Sequence, residues 1–180
     1  LISSHAPRYN RRSKFPERQV WLKLTREPFP RLSIVRKCLG DGAQYFGPFS
    51  RRSGAEAVAA ALYDAFPIRQ CTARLSATRP SSSCVLAELG KCVAPCELAV
   101  GVEQYGELID RVRASLTSDI RPVLTAAQGR LAVLVQRQRF EDAAVVTARL
   151  TGFANSALRH HRVASLAGCS QIVAAYRHDE

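Results

Sequence analysis

Four cysteines fall within residues 71–96: Cys71, twelve residues, Cys84, seven residues, Cys92, three residues, Cys96. Thiolate sulfur is the soft donor that zinc and iron-sulfur centres select. Four such donors, the last two held close by Val93-Ala94-Pro95, match the ligand number of a tetrahedral site. The stretch therefore reads as one metal site, and its spacing leaves zinc and iron-sulfur both open. Cys38 and Cys169 stand far from it in sequence and are expected to be buried as small apolar residues. Disulfides are disfavoured: Leu1-Ile2-Ser3-Ser4-His5 is not a secretory segment, and 180 residues can fold without covalent staples.

The other chemistry-bearing types give less. His160 and His161 are adjacent, which on a helix points them about 100° apart, the arrangement of a cationic patch rather than of a shared ligand pair. No Ser-His-Asp pattern, phosphate-binding glycine loop or helically spaced carboxylate pair occurs, so the chain carries no complete catalytic site.

Net charge is +11, and it is unevenly placed: residues 1–53 hold twelve Lys or Arg against three acids, residues 54–180 fourteen against twelve. A field concentrated on one segment suits a phosphate backbone. Arg8, Tyr9, Arg11, Arg12 and Lys14 lie in a proline-bounded basic loop whose rings could stack on bases or pin the loop to the domain. With Lys23, Arg51 and Arg52 they form the candidate nucleic-acid contacts. At 47% hydrophobic and 23% charged the composition is globular, and no apolar run approaches the roughly 18–20 residues that span a bilayer, so no membrane is expected.

These residues must be positioned by elements that hydrophobic periodicity locates. Val20–Thr25 and Leu32–Val35 read as two antiparallel strands, and Gln44–Phe49 as a short extended piece. Ser53 can cap a helix that ends before Pro67 and covers the sheet. Cys84–Gly90 reads as a turn or two of helix. Val102, Tyr105, Leu108, Ile109, Val112 and Leu116 share one face of a further helix. Ser118 can cap the next, in which Ile120, Leu124, Ala127, Leu131 and Leu134 step by four and three. Phe140, Ala143, Val146, Leu150, Phe153 and Ala157 step likewise in another. The short joint Gln136–Arg139 forces these two helices into an antiparallel hairpin, which must pack on its own domain or pair with a partner. Gln171–Tyr176 reads as the first strand of something further, and the absence of Met suggests a cut from a longer chain.

Pro7-Arg8-Tyr9-Asn10, Trp21–Thr25 with Phe29–Leu32, Asp41–Phe49, Phe66–Cys71, Gly90–Cys96 and Phe140-Glu141-Asp142-Ala143-Ala144 occur in an order that resembles the UvrC family, the incision nucleases of bacterial nucleotide excision repair. The resemblance covers nearly the whole chain. It implies that a GIY-YIG nuclease fold begins upstream, with its divalent metal and catalytic Tyr, Arg and Glu, and that only Asn10 matches a supporting active-site position. It implies that Cys71, Cys84, Cys92 and Cys96 hold a 4Fe-4S cluster, with zinc as the alternative. It also implies that the hairpin is a UVR motif meeting a UvrB-like protein through Phe140, Ala143, Ala144 and Leu150. Extra residues at Glu17–Val20, Thr147-Ala148 where the family commonly has Arg-Asp, and no RNase-H-like half point to a paralogue or fragment.

The expected fold class is α+β. Residues 1–67 would form the end of a nuclease domain with a small antiparallel sheet and covering helix, 68–100 the cysteine region, 101–117 a linking helix, 118–162 the hairpin, and 163–180 the start of another domain. The expected function is a cytoplasmic DNA-repair endonuclease segment that binds DNA; the competing class is a non-catalytic zinc- or cluster-bound nucleic-acid adaptor.

Overall fold

The computed structural model describes residues 19–171 and 173. The basic loop, with Arg8, Tyr9, Asn10, Arg11, Arg12 and Lys14, lies outside these residues, as does most of the expected strand at Gln171–Tyr176. Among the described residues the architecture is α+β, a three-stranded antiparallel sheet and five α-helices.

Strands β1 (Val20–Leu24), β2 (Leu32–Val35) and β3 (Gln44–Phe49) lie in the order β2-β1-β3. Alternation in β1 sends Val20, Leu22 and Leu24 inward, so the central strand fixes which face is core. Leu22 stands opposite Ile34 on one side and Phe46 on the other. Gly47 adopts a positive φ of 138°, and a Cβ there would sit 3.1 Å from the Phe49 ring and 3.3 Å from that of Trp21; only glycine fits without displacement.

Helix α1 (Arg52–Ala65) lies against all three strands and buries Ala55, Val58, Ala59, Ala61 and Leu62. It begins one residue before the expected cap Ser53, with Arg51 at the N-cap and no side chain closing it. Sheet packing rather than capping therefore sets its start. Full burial of Leu22, Val58, Leu62 and Ile68 contributes about 1.5–3 kcal/mol for each side chain.

Beyond the cysteine region, with its single-turn α2 (Val85–Glu88), come α3 (Val102–Thr117), α4 (Arg121–Gln136) and α5 (Phe140–Ala167). Helix α3 buries Tyr105, Leu108, Ile109, Val112 and Leu116 as its periodicity predicts, but Val102 is exposed in its first turn. The α4 start is organised by Asp119 instead of Ser118: its carboxylate accepts the Arg121 N–H at 3.1 Å and pairs with the Arg121 guanidinium at 2.7 Å. Ser118 instead donates its hydroxyl back to the Ala114 carbonyl at the end of α3.

Helices α4 and α5 form the expected hairpin, closed by Arg139 N–H to Leu134 O at 2.9 Å. Ala127, Leu134, Ala143 and Val146 fill its seam, while Val123 and Phe153 join the core shared by the sheet, α1 and α3. The hairpin thus packs on α1. Gly152 permits the approach, since a Cβ there would meet Ala57 Cβ at 3.3 Å, and Asp64 of α1 pairs with Arg130 of α4 at 3.2 Å and Arg149 of α5 at 3.0 Å. No helix among the described residues is long and apolar enough to cross a membrane.

Candidate metal centre and its surroundings

After α1 stops at Ala65, Pro67 and Ile68 lead the chain out of the core toward Cys71, and the rest of the cysteine segment folds back on this exit. The Val93 N–H donates to the Pro67 carbonyl at 2.9 Å, and the Ser81 N–H to the Cys96 carbonyl at 2.8 Å. Helix α2 brings Lys91 N–H to Leu86 O at 2.8 Å, and Gly90 turns the chain at φ 66°. Cys92 precedes and Cys96 lies within a short 3-10 turn, Pro95–Glu97, bounded by two non-glycine residues in the left-handed region, Ala94 (φ 50°) and Leu98 (φ 59°). Such conformations cost of order 1–3 kcal/mol apiece and persist where the surroundings over-determine them.

Cys71, Cys92 and Cys96 are half-buried and Cys84 is exposed. The Cys92 thiol is pushed up by burial; the Ala94 N–H directed at its sulfur opposes this, and the thiols of Cys96, Cys71 and Cys84 act on it in turn. Among the described residues, no three His, Cys, Asp or Glu side chains stand close enough to share one ion as they are placed. The donor chemistry fits a thiolate-bound centre: four soft donors within residues 71–96 and a cation beside one of them. It offers ligands and a loop fixed by backbone hydrogen bonds.

That cation is Arg69, 1% exposed. Its Nε donates to the Phe29 carbonyl at 2.8 Å, its Nη1 to the Ala73 carbonyl at 2.6 Å and to Cys71 Sγ at 3.7 Å. Its Nη2 lies 2.7 Å from Glu27 Oε2 but off the N–H axis, so this contact is an ion pair without a directed hydrogen bond. Its backbone N–H donates to Tyr105 Oη at 3.0 Å, and that hydroxyl donates to the Pro30 carbonyl at 3.0 Å. Burial pushes the Tyr105 phenol well up, keeping it protonated as a donor. The Phe29 and Tyr105 rings meet edge to face at 5.5 Å.

Sequence reasoning did not single out Arg69, Glu27 or Tyr105 as site residues. The available signal was local: an arginine two positions before a candidate ligand and directly after the apolar Ile68.

The remaining candidates are dispersed. Lys23 is ion-paired with Asp41, which also accepts from Tyr45 Oη at 2.9 Å. Arg51 is exposed at the start of α1, and Arg52 is exposed but paired with Glu56 at 2.8 Å. In the hairpin, Ala143 is buried in the seam and Leu150 packs against both apolar clusters, whereas Phe140 is 63% exposed and Ala144 is exposed beside it. The stripe expected to run through Phe140 thus starts at Ala143. Cys38 and Cys169, expected to be buried, are both exposed, Cys38 in the loop after β2 and Cys169 just past α5, where no apolar layer among the described residues covers them.

Comparison with known proteins places this chain among relatives. Residues 19–115 match the family model described as UvrC/Cho excinuclease, middle domain. The chain is 36% identical over 176 residues to a Mycobacterium tuberculosis protein whose name proposes a bifunctional exonuclease/endonuclease, covering 97% of this chain and 27% of that one. It is 30% identical to UvrABC system protein C of Syntrophotalea carbinolica, covering 98% and 29%, and 32% identical to that of Thermus thermophilus, covering 81% and 25%. The chain therefore spans under a third of the length of these relatives. No solved structure matches.

Proposed function

The chain belongs to the UvrC/Cho excinuclease family, and on that premise we propose that it is the segment of a DNA-repair endonuclease that joins the end of the nuclease domain to a partner-binding hairpin. The observation that carries this reading is the family match over residues 19–115, which takes in the sheet, α1, all four clustered cysteines and the Arg69 contacts as one unit. Its parent would incise damaged DNA in nucleotide excision repair, in the cytoplasm, using a divalent metal held outside this segment.

Cys71, Cys84, Cys92 and Cys96 would hold a 4Fe-4S cluster, or zinc as the alternative. When bound, the group supplies a structural crosslink, closing the Ser-rich loop 72–83 onto residues 92–96. The loop hydrogen bond between Ser81 and Cys96 already draws these ends together. DNA would be met by the basic loop with Arg51 and Arg52, and Asn10 would support the nuclease site. A UvrB-like protein would meet the exposed end of the hairpin. Phe140 supports that role: a large apolar side chain, 63% exposed at the start of α5, stabilises little of this fold and suits an interface anchor.

The full parent chain, incubated with divalent metal, a damaged duplex and a UvrB-like partner, should nick the duplex in a partner-dependent way. Binding without incision, with or without partner, would favour the non-catalytic adaptor. Iron, sulfide and zinc analysis after anaerobic purification decides the metal: stoichiometric zinc without iron would overturn the cluster assignment.

A further inference from the structure

We infer that Arg69 is a positioning residue of the cysteine centre: its guanidinium holds the Cys71 sulfur and ties it to the β1–β2 turn, so that metal retention is coupled to the packing of that turn. The inference rests on the cysteines being a metal centre, as proposed above.

Burying a guanidinium is costly unless its donors are used, and the Arg69 donors divide between two structures. Nε and Nη2 face the β1–β2 turn through Phe29 O and Glu27. Nη1 faces the cysteine segment through Ala73 O and Cys71 Sγ. A purely structural crosslink between the turn and the segment would need only the two carbonyls. The contact to sulfur is extra, at 3.7 Å, and it comes from the same nitrogen that grips Ala73, two residues past Cys71. Cys71 is thus held on both sides, by Arg69 N–H fixed on Tyr105 Oη before it and by the Nη1–Ala73 bond after it.

The planar fork matters. Lysine would bring the same charge but could not reach Phe29 O, Glu27, Ala73 O and Cys71 Sγ from one rigid group. Partners that orient metal ligands typically change metal affinity by about 10–100-fold when removed. Glu27 acts one step further out: it is shared by Arg69 and, at 3.6 Å, by Arg31, so it steers the guanidinium without touching sulfur.

The test uses the full parent chain, purified anaerobically with its native metal. Metal release to a chelator and the thiolate-to-metal absorption band are recorded for the wild type, Arg69→Lys, Arg69→Met, Glu27→Gln and the exposed control Arg79→Met. Arg69→Lys and Arg69→Met should release metal about 10–100-fold faster with a displaced absorption band, Glu27→Gln to a smaller degree, and Arg79→Met not at all. Should Arg69→Met fail to fold, Arg69→Lys decides alone. A folded Arg69→Lys variant with wild-type release and an unmoved band would overturn the inference. If the wild type holds no metal and Cys71→Ser changes nothing, the centre itself is refuted, a distinguishable result.

Discussion

The Tyr105 hydroxyl on α3 stands between two backbone groups 39 residues apart in sequence, accepting the Arg69 N–H and donating to the Pro30 carbonyl, each at 3.0 Å. One side chain therefore satisfies a donor of the cysteine segment and an acceptor of the β1–β2 turn inside the core. Tyr105→Phe keeps the ring and leaves both groups unpaired. It should cost about 1–3 kcal/mol in urea denaturation, because a buried polar group stranded without its partner bears its desolvation penalty.

The same residue predicts a pH dependence. Its phenol is raised above the ordinary value near 10 by burial, so the unfolded chain ionises first. Its contribution is complete below pH 10 and is lost as pH rises through the folded-state value. Wild-type stability should fall more steeply above pH 10 than that of Tyr105→Phe, followed as the urea midpoint against pH.

Asp41 behaves in the opposite sense. Hydrogen bonds from Lys23, then Tyr45, hold its carboxyl down at about 2 instead of 3.8. Its contribution is present above pH 3.8 and lost as pH falls through about 2. The carboxyl resonance should titrate near pH 2, and Lys23→Met should move that midpoint upward; an Asp41 that titrates at 3.8 in the wild type would refute the arrangement.

The close approach of α1 and α5 should respond sharply to volume. Gly152→Leu forces a side chain into the 3.3 Å gap beside Ala57 and should destabilise by about 1–3 kcal/mol. Gly129→Ala in α4 meets open space and should stabilise by about 0.5–1 kcal/mol. Thermal melts of the two variants distinguish the cases.

Along the hairpin, two phenylalanines thirteen residues apart should separate stability from recognition. Phe153 is fully buried, and Phe153→Ala should cost about 3–5 kcal/mol. Phe140→Ala should leave the melting temperature within a degree or two while weakening capture of a UvrB-like partner, measured by titration calorimetry. A Phe140→Ala variant that melts early but binds unchanged would reverse these roles.

Much of the architecture is legible locally. Alternation in Val20–Leu24, the spacing of Tyr105, Leu108, Ile109, Val112 and Leu116, and the short joint after Gln136 are periodic signals that tertiary packing obeys, so strands, helices and hairpin follow from the chain alone. The four-cysteine spacing and the quoted motif order likewise point to the family before any fold is known. Capping residues were less legible, since Ser53 and Ser118 have the right type but their neighbours set the helix starts. Exposure of Cys38, Cys169 and Phe140 depends on what lies across from them, which no local pattern carries.

What the sequence determined by itself is which residues can be donors, cations and core, because type and period are local properties of the chain. Only the tertiary structure decided that Arg69, among the Lys and Arg of the described residues, is the buried one that joins Glu27, Phe29, Ala73 and Cys71. A buried guanidinium needs partners from separate segments at once, and only the packing of the β1–β2 turn, the cysteine segment and α3 supplies them together.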